Sequence, residues 1–187
     1  CGITFLHAPL FNPAMKNVAP VRRALRLKTF FNMLGPMVNP GRPQSQIAGV
    51  FSLELARMYN YLYQQSKVNY CIIHSLDGYD EISLTGDFKV LTNRTDRILS
   101  PRDLGMPVLK AEELAGSGDV PGTAAIFVNV LQGKGTTAQN SVVIANAAMA
   151  LATYFQGKGI ENCIEEARSS LLGGKALKVF TNLISLQ

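Results

Sequence analysis

The chain has 187 residues, of which 47% are hydrophobic and 17% charged. That balance excludes a disordered tail and supports one well-cored domain, or part of a larger one. The formal net charge of +5 favours anionic partners without choosing among phosphorylated small molecules, nucleic acid and acidic surfaces.

In chain order, Gly2 to His7 ("GITFLH") reads as a buried strand. The chain opens at Cys1 without a methionine, directly inside that run, so upstream sequence is expected. Pro9, Pro13 and Pro20 divide the next stretch into short turns, and Pro20 suits the first turn of a helix carrying Val21, Arg22 and Leu25. "TFFNMLGPMVNPGRP" reads as a short apolar segment ended by Gly35-Pro36, then a loop to Pro43. "QIAGVF" is strand-like. Ser52 can cap a helix whose apolar residues Leu55, Met58, Tyr59 and Leu62 recur at helical spacing. "YCIIHS" is a continuous apolar strand, and "EISLTGDFKVLTN" predicts a hairpin turning at Gly86-Asp87. From about Ala111 the pattern is helical to the end. Ser141 to Phe155 is too short and too dotted with Asn and Thr to span a bilayer, so it reads as a helix buried on most sides. Strands alternating with helices predict an α/β fold with a largely parallel sheet and some mixed character from the hairpin.

The three cysteines, Cys1, Cys71 and Cys163, are far apart and form no CxxC pair. They read as reduced, mostly buried thiols of a cytoplasmic protein. With only His7 and His74 besides, nothing points to zinc. The densest basic run, Val21 to Lys28, lacks interleaved stacking aromatics, so a nucleic-acid surface is weakly signalled.

The stretch "YCIIHSLDGYDEISLTG" carries adjacent carboxylates, Asp80 and Glu81, just after Gly78. Neighbours on a regular strand point to opposite faces, so the two serve one site only where the backbone turns. Asp77 and Gly78 favour such a turn, and ligands of α/β sheets gather at the carboxyl ends of strands. A pair there suits Mg²⁺, which takes one or two carboxylates, waters and phosphate oxygens. Taken locally, a solvated acidic turn is the simpler account. Arg22 could grip a carboxylate or phosphate at two points, or be a surface arginine beside Arg23. His7 reads as structural. His74, close to the carboxylate loop, is the more interesting of the two histidines. No GxSxG, Walker or GxGxxG motif is present.

Four segments in order, "FLHAPLFNPAMKNVAPVRRAL", "KTFFNMLGPMVNP", "QIAGVFS" and "DGYDEISLTG", closely resemble the C-terminal part of the anthranilate phosphoribosyltransferase family, over essentially the whole chain. The resemblance implies the larger α/β domain of the nucleoside phosphorylase/phosphoribosyltransferase type, with residues 1–187 its C-terminal portion. The sheet would be mixed, mostly parallel and flanked by helices. It implies transfer of a phosphoribosyl group from phosphoribosyl pyrophosphate to anthranilate, releasing pyrophosphate, in tryptophan biosynthesis. By the same resemblance Asp80 and Glu81 match the pair that binds Mg²⁺ with the pyrophosphate. Arg22 matches the anthranilate arginine, and Ala8, Pro9, Asn12, Met15 and Gly35 match the lining of the anthranilate pocket. No nucleophile or base is implied.

Departures are visible. Asn12 stands where many members have histidine; it can hydrogen-bond but cannot take a charge. "LRLKT" replaces "LGIRT". The family's "GTGGD" and "KHGN" segments do not occur here. They belong upstream of Cys1, as does the small helical domain that forms the family's homodimer contact, so the chain alone is expected to be inactive. Two other readings stay open: a nucleoside phosphorylase-like enzyme of the same fold, and a non-catalytic module binding nucleic acid or another anion. The leading reading has no nucleic-acid or membrane partner.

Overall fold

The computed structural model describes residues 1–11, 33–186 and, between them, 13, 17, 20, 21 and 24; Ala8 and Pro9 are described by backbone alone. Asn12, Met15 and Arg22 lie outside the described residues, as do Arg23 and Leu25 of the helix expected from Pro20; Pro20, Val21 and Ala24 are helical.

A four-stranded sheet in the order β1-β2-β3-β4 is built from β1 (Ser45–Gly49), β2 (Asn69–Ser75), β3 (Phe88–Thr92) and β4 (Asp96–Leu99). β1 and β2 pair in parallel, Ile47 opposite Cys71. β2–β3 and β3–β4 are antiparallel, with Ile73 opposite Val90 and Val90 opposite Arg97. Only β1–β2 has a helix between its strands, and parallel pairing needs such a crossover. The mixed α/β character therefore holds, but among the described residues parallel pairing is the smaller share.

Helices cover both faces. After the short turn α1 (Ala8–Phe11) come α2 (Leu53–Gln64), α3 (Val120–Leu131), α4 (Thr137–Tyr154), α5 (Ile160–Leu172) and α6 (Lys175–Ser185). The pleat sorts β2 between two cores. Tyr70 and Ile72 join Ala48, Leu91 and the α2 residues Leu55, Tyr59 and Tyr63. Cys71 and Ile73 join Phe88, Val90 and the residues Ala145, Ala148, Met149 and Cys163 of α4 and α5. Burial on both faces explains why β2 reads as a continuous apolar run. No helix among the described residues is long and apolar enough to cross a membrane.

Local chemistry sets the helix starts. Ser52 Oγ accepts from the Leu55 N–H at 3.2 Å, as expected of the cap. Thr136 and Gln139 form a reciprocal capping box that starts α4. The buried face of α2 differs from the predicted stripe. Leu55, Ala56, Tyr59 and Tyr63 are buried, whereas Met58 and Leu62 are 43% and 42% exposed. A straight i, i+4, i+8 line faces the sheet, and the Tyr63 ring stacks on Tyr70.

Two further expectations change. Gly2 to His7 forms no strand; Ile3 and Phe5 are 50% and 76% exposed, and an apolar run becomes a strand only where a neighbour completes its ladder. The hairpin is β3–β4, turning at residues 93–95 rather than at Gly86-Asp87. Residues 80–87 are irregular.

Cys71 and Cys163 are free and buried, and Cys1 is exposed. Burial pushes the Cys71 thiol up from the ordinary 9.0 to about 12, opposed in part by a hydrogen bond with Thr153. The folded chain thus holds this proton where the unfolded chain releases it. Its contribution to stability is full below about pH 9 and is lost as pH rises toward about 12. Native maleimide labelling at pH 8, read by mass spectrometry, should modify Cys1 and spare Cys71 and Cys163 until denaturant is added. Native labelling of Cys71 would contradict this burial.

Candidate metal-binding loop

The loop after β2 is built on Ser75. Gly78, at φ +105°, takes a backbone conformation that side chains disfavour. It lets the chain double back, so that the Ser75 N–H donates to the Tyr79 carbonyl at 3.0 Å and the Gly78 N–H to the Ser75 carbonyl at 2.9 Å. The Leu76 N–H donates to the Asp87 carbonyl at 2.8 Å, closing the far end of the loop. Asp80 and Glu81 lie within this loop, both exposed.

Their backbone is held from within. Ser75 Oγ donates to the Glu81 carbonyl at 2.6 Å and accepts from the Ser83 N–H at 3.4 Å. Thr85 Oγ1 donates to Asp77 Oδ2 and can accept from Ser83 Oγ, 2.7 Å away. Ile82 and Leu84 bury completely in the main core. Leu84 does so at φ +61°, a strained conformation for a residue with a Cβ. The Asp80 carbonyl presses on Gly49 at the end of β1, where a Cβ would stand 1.6 Å from that oxygen. With the carbonyl of Asp80 against Gly49 and that of Glu81 on Ser75, the turn expected from the sequence is present, and it leaves both carboxylates in solvent.

Neither carboxylate has a hydrogen bond or ion pair with any described residue; the ion pairs found are Lys89–Asp96, Lys158–Glu166 and Glu165–Arg168. Among the described residues no group of three or more His, Cys, Asp or Glu is placed to hold a metal. Two adjacent free carboxylates without a third protein ligand fit Mg²⁺, which keeps waters and takes phosphate oxygens, better than a metal needing a full protein cage.

Gly35 opens a short 3₁₀ turn, Gly35–Met37, and is exposed. The next carbonyl, of Pro36, accepts from Gln46 Nε2 at 2.6 Å and from the Tyr63 hydroxyl at 3.5 Å. That anchors the turn near the start of β1, roughly 10 Å along the strand from Gly49, so Gly35 and the carboxylates lie toward opposite ends of one strand. Ala8 and Pro9 lie in α1. His74 is buried, and its Nδ1 lies 2.8 Å from the Val50 carbonyl. A carbonyl only accepts, so Nδ1 carries the proton and the ring ties β2 to the residue after β1.

Sequence reading missed Gly49, Ser75 and Asn146. Gly49 carries no signal beyond a glycine at a strand end. Ser75 and Asn146 act on the loop by contacts that no spacing rule predicts. A groove of about 380 Å³ lined by Arg57, Asn60, Tyr61, Lys89, Asp96 and Ile98 shares no residue with the loop.

The model of the glycosyl transferase family, a/b domain, matches residues 1–177. The chain belongs to that family. It is 56% identical to the anthranilate phosphoribosyltransferase of Flavobacterium psychrophilum over 99% of its own length, and spans 56% of that relative. Its fold is similar to the crystal structure of anthranilate phosphoribosyltransferase from Thermus thermophilus, with a TM-score of 0.88 and 28% identity over 97% of this chain and 54% of that one. It is also similar to the Saccharomyces cerevisiae enzyme in complex with PRPP and Mg, with a TM-score of 0.87 and 26% identity over 97% of this chain and 52% of that one.

Gly49→Ala should displace the Asp80 carbonyl and destabilise the protein by roughly 1–3 kcal/mol, the usual range for overpacking. Urea unfolding of the intact protein measures it; an unchanged midpoint would mean that the contact yields freely.

Proposed function

We propose that the chain is the C-terminal portion, residues 1–187, of the larger α/β domain of an anthranilate phosphoribosyltransferase. The intact enzyme transfers the phosphoribosyl group of phosphoribosyl pyrophosphate to the amino nitrogen of anthranilate. The observation that carries the reading is the pair of free, exposed carboxylates on an internally tied loop, in a chain 56% identical to an enzyme of that name.

In the reaction the anthranilate nitrogen bonds to the ribose anomeric carbon, the bond from that carbon to the pyrophosphate oxygen breaks, and the amine sheds a proton. Asp80 and Glu81 would hold Mg²⁺, and the ion would supply positive charge to offset that on the departing pyrophosphate. Both carboxylates are exposed, and the loop backbone is tied down behind them. Arg22 clamps the substrate carboxylate through its planar fork. Ala8, Pro9, Asn12, Met15 and Gly35 line the anthranilate pocket, and Asn12 contributes hydrogen bonds without a charge. The ring carbon passes through an oxocarbenium-like state, which calls for electrostatic help and substrate placement rather than a covalent nucleophile.

The intact protein is a homodimer formed through a helical domain N-terminal to this portion, and it works in tryptophan biosynthesis. The free buried thiols Cys71 and Cys163 suit the reducing cytoplasm.

Anthranilate fluorescence tests the reading. Intact protein should quench it only when both phosphoribosyl pyrophosphate and Mg²⁺ are added, and residues 1–187 alone should not. Asp80→Ala and Glu81→Ala should each abolish the Mg²⁺-dependent loss. Folded intact protein without that loss would leave the phosphorylase or the anion-binding module, and turnover by residues 1–187 alone would overturn the expected inactivity of this portion. Arg22→Ala should raise the anthranilate KM roughly 10- to 100-fold, the worth of a charged hydrogen bond of about 1.5–3 kcal/mol. An unchanged KM would remove Arg22 from the site.

A further inference from the structure

Asn146 lies in the interior of α4, in the run "NAAMALA". Asparagine is a poor interior helix residue, because its amide competes with the backbone for hydrogen bonds. Here the amide reaches across to the carboxylate loop. Its Oδ1 accepts from the Ile82 N–H at 3.0 Å, and its Nδ2 donates to the Ile82 carbonyl at 2.8 Å. Nδ2 also donates to the Val142 carbonyl of its own helix at 3.0 Å, which fixes the side chain's direction. One amide therefore pairs with both polar groups of a single backbone residue, as a neighbouring strand would in a ladder.

Ile82 is the residue after Glu81. It is fully buried, in a stretch that belongs to no strand, so its N–H and C=O need partners from elsewhere. Ser75 holds the Glu81 carbonyl on one side of the pair, and the Leu109 N–H holds the Leu84 carbonyl at 2.9 Å further on. Asn146 is the tie between them, and it joins the loop to an 18-residue helix.

We propose that Asn146 is a positioning residue for the carboxylate pair. By gripping both polar groups of Ile82 from α4, it fixes the direction in which Glu81 and Asp80 leave the loop, and so sets the affinity of the intact enzyme for its divalent cation. The inference rests on the metal-binding role proposed above for Asp80 and Glu81. Groups that orient metal ligands without touching the metal are typically worth about 10- to 100-fold in metal affinity.

The test uses intact protein and Mn²⁺ with pyrophosphate, free Mn²⁺ being read by electron paramagnetic resonance. Asn146→Ala should raise the half-saturating Mn²⁺ concentration about tenfold or more. It should also speed amide hydrogen exchange in peptides covering residues 79–86, with exchange in β3 unchanged. In turnover the half-saturating Mg²⁺ should rise by a similar factor while the anthranilate KM stays put. Asn146→Leu, which fills the space but offers no hydrogen bond, should behave alike and serves if the alanine variant does not fold. A folded variant with wild-type Mn²⁺ binding, or with unchanged exchange over residues 79–86, would overturn the proposal. Asp80→Ala and Glu81→Ala separate the two claims. If they weaken Mn²⁺ binding and the Asn146 variants do not, only the positioning role fails. If they leave it unchanged, the site itself fails and the positioning role with it.

Discussion

Ile72 and Ile73 are neighbours on β2, and each is only 1% exposed, but they belong to different cores. Full burial of such side chains is worth roughly 1.5–3 kcal/mol each. A one-residue slip of β2 would exchange every side chain between the α2 layer and the α4–α5 layer. Register along β2 is therefore pinned from both sides, and Ser75, its last residue, has little freedom of position. The hydrogen bonds of the following loop start from that residue. Two-sided burial of one strand thus becomes the placement of two carboxylates.

The loop separates its polar groups by kind. Backbone groups point inward, to Ser75, Asn146 and the Leu109 N–H, and the Asp80 carbonyl packs on Gly49. The carboxylates point outward and have no described partner. Adjacent like charges in water repel weakly, by about 1 kcal/mol at 4 Å. On the proposed reading, a divalent cation held there would offset that repulsion and supply positive charge beside the pyrophosphate group. Holding the backbone beforehand means that little ordering is left to do on binding. The strained Leu84, buried at φ +61°, belongs to the same arrangement: its side chain fills the core while its backbone bends the chain back toward β3.

Local rules explain what was legible in the sequence. Ser52 shows its cap by residue type, the turn at Gly78 by its glycine, and β2 by an unbroken apolar run. The misplaced hairpin has an equally physical cause. Ile82 and Leu84 alternate with polar residues as a half-buried strand would, and both are buried, but positive φ at Leu84 and side-chain partners from Ser75 and Asn146 replace a ladder. Alternation reports burial, and the ladder is a separate condition. Met58 and Leu62 are apolar yet exposed, because apolarity alone does not say which helical stripe faces the sheet. Asn146 was invisible because its partner, Ile82, is 64 residues away in the chain. Only the joint match of several segments to one family points Asp80 and Glu81 toward a metal. Taken alone the pair is an acidic turn.

The central claim is that a rigid loop presents Asp80 and Glu81 together to one divalent cation. Anomalous diffraction from crystals of the intact protein grown with Mn²⁺ and pyrophosphate tests it most directly. The account predicts a metal peak bound by a carboxylate oxygen of Asp80, Glu81 or both, with the Ile82 backbone still paired to Asn146. A fully occupied Mn²⁺ elsewhere, with both carboxylates left in solvent, would contradict it.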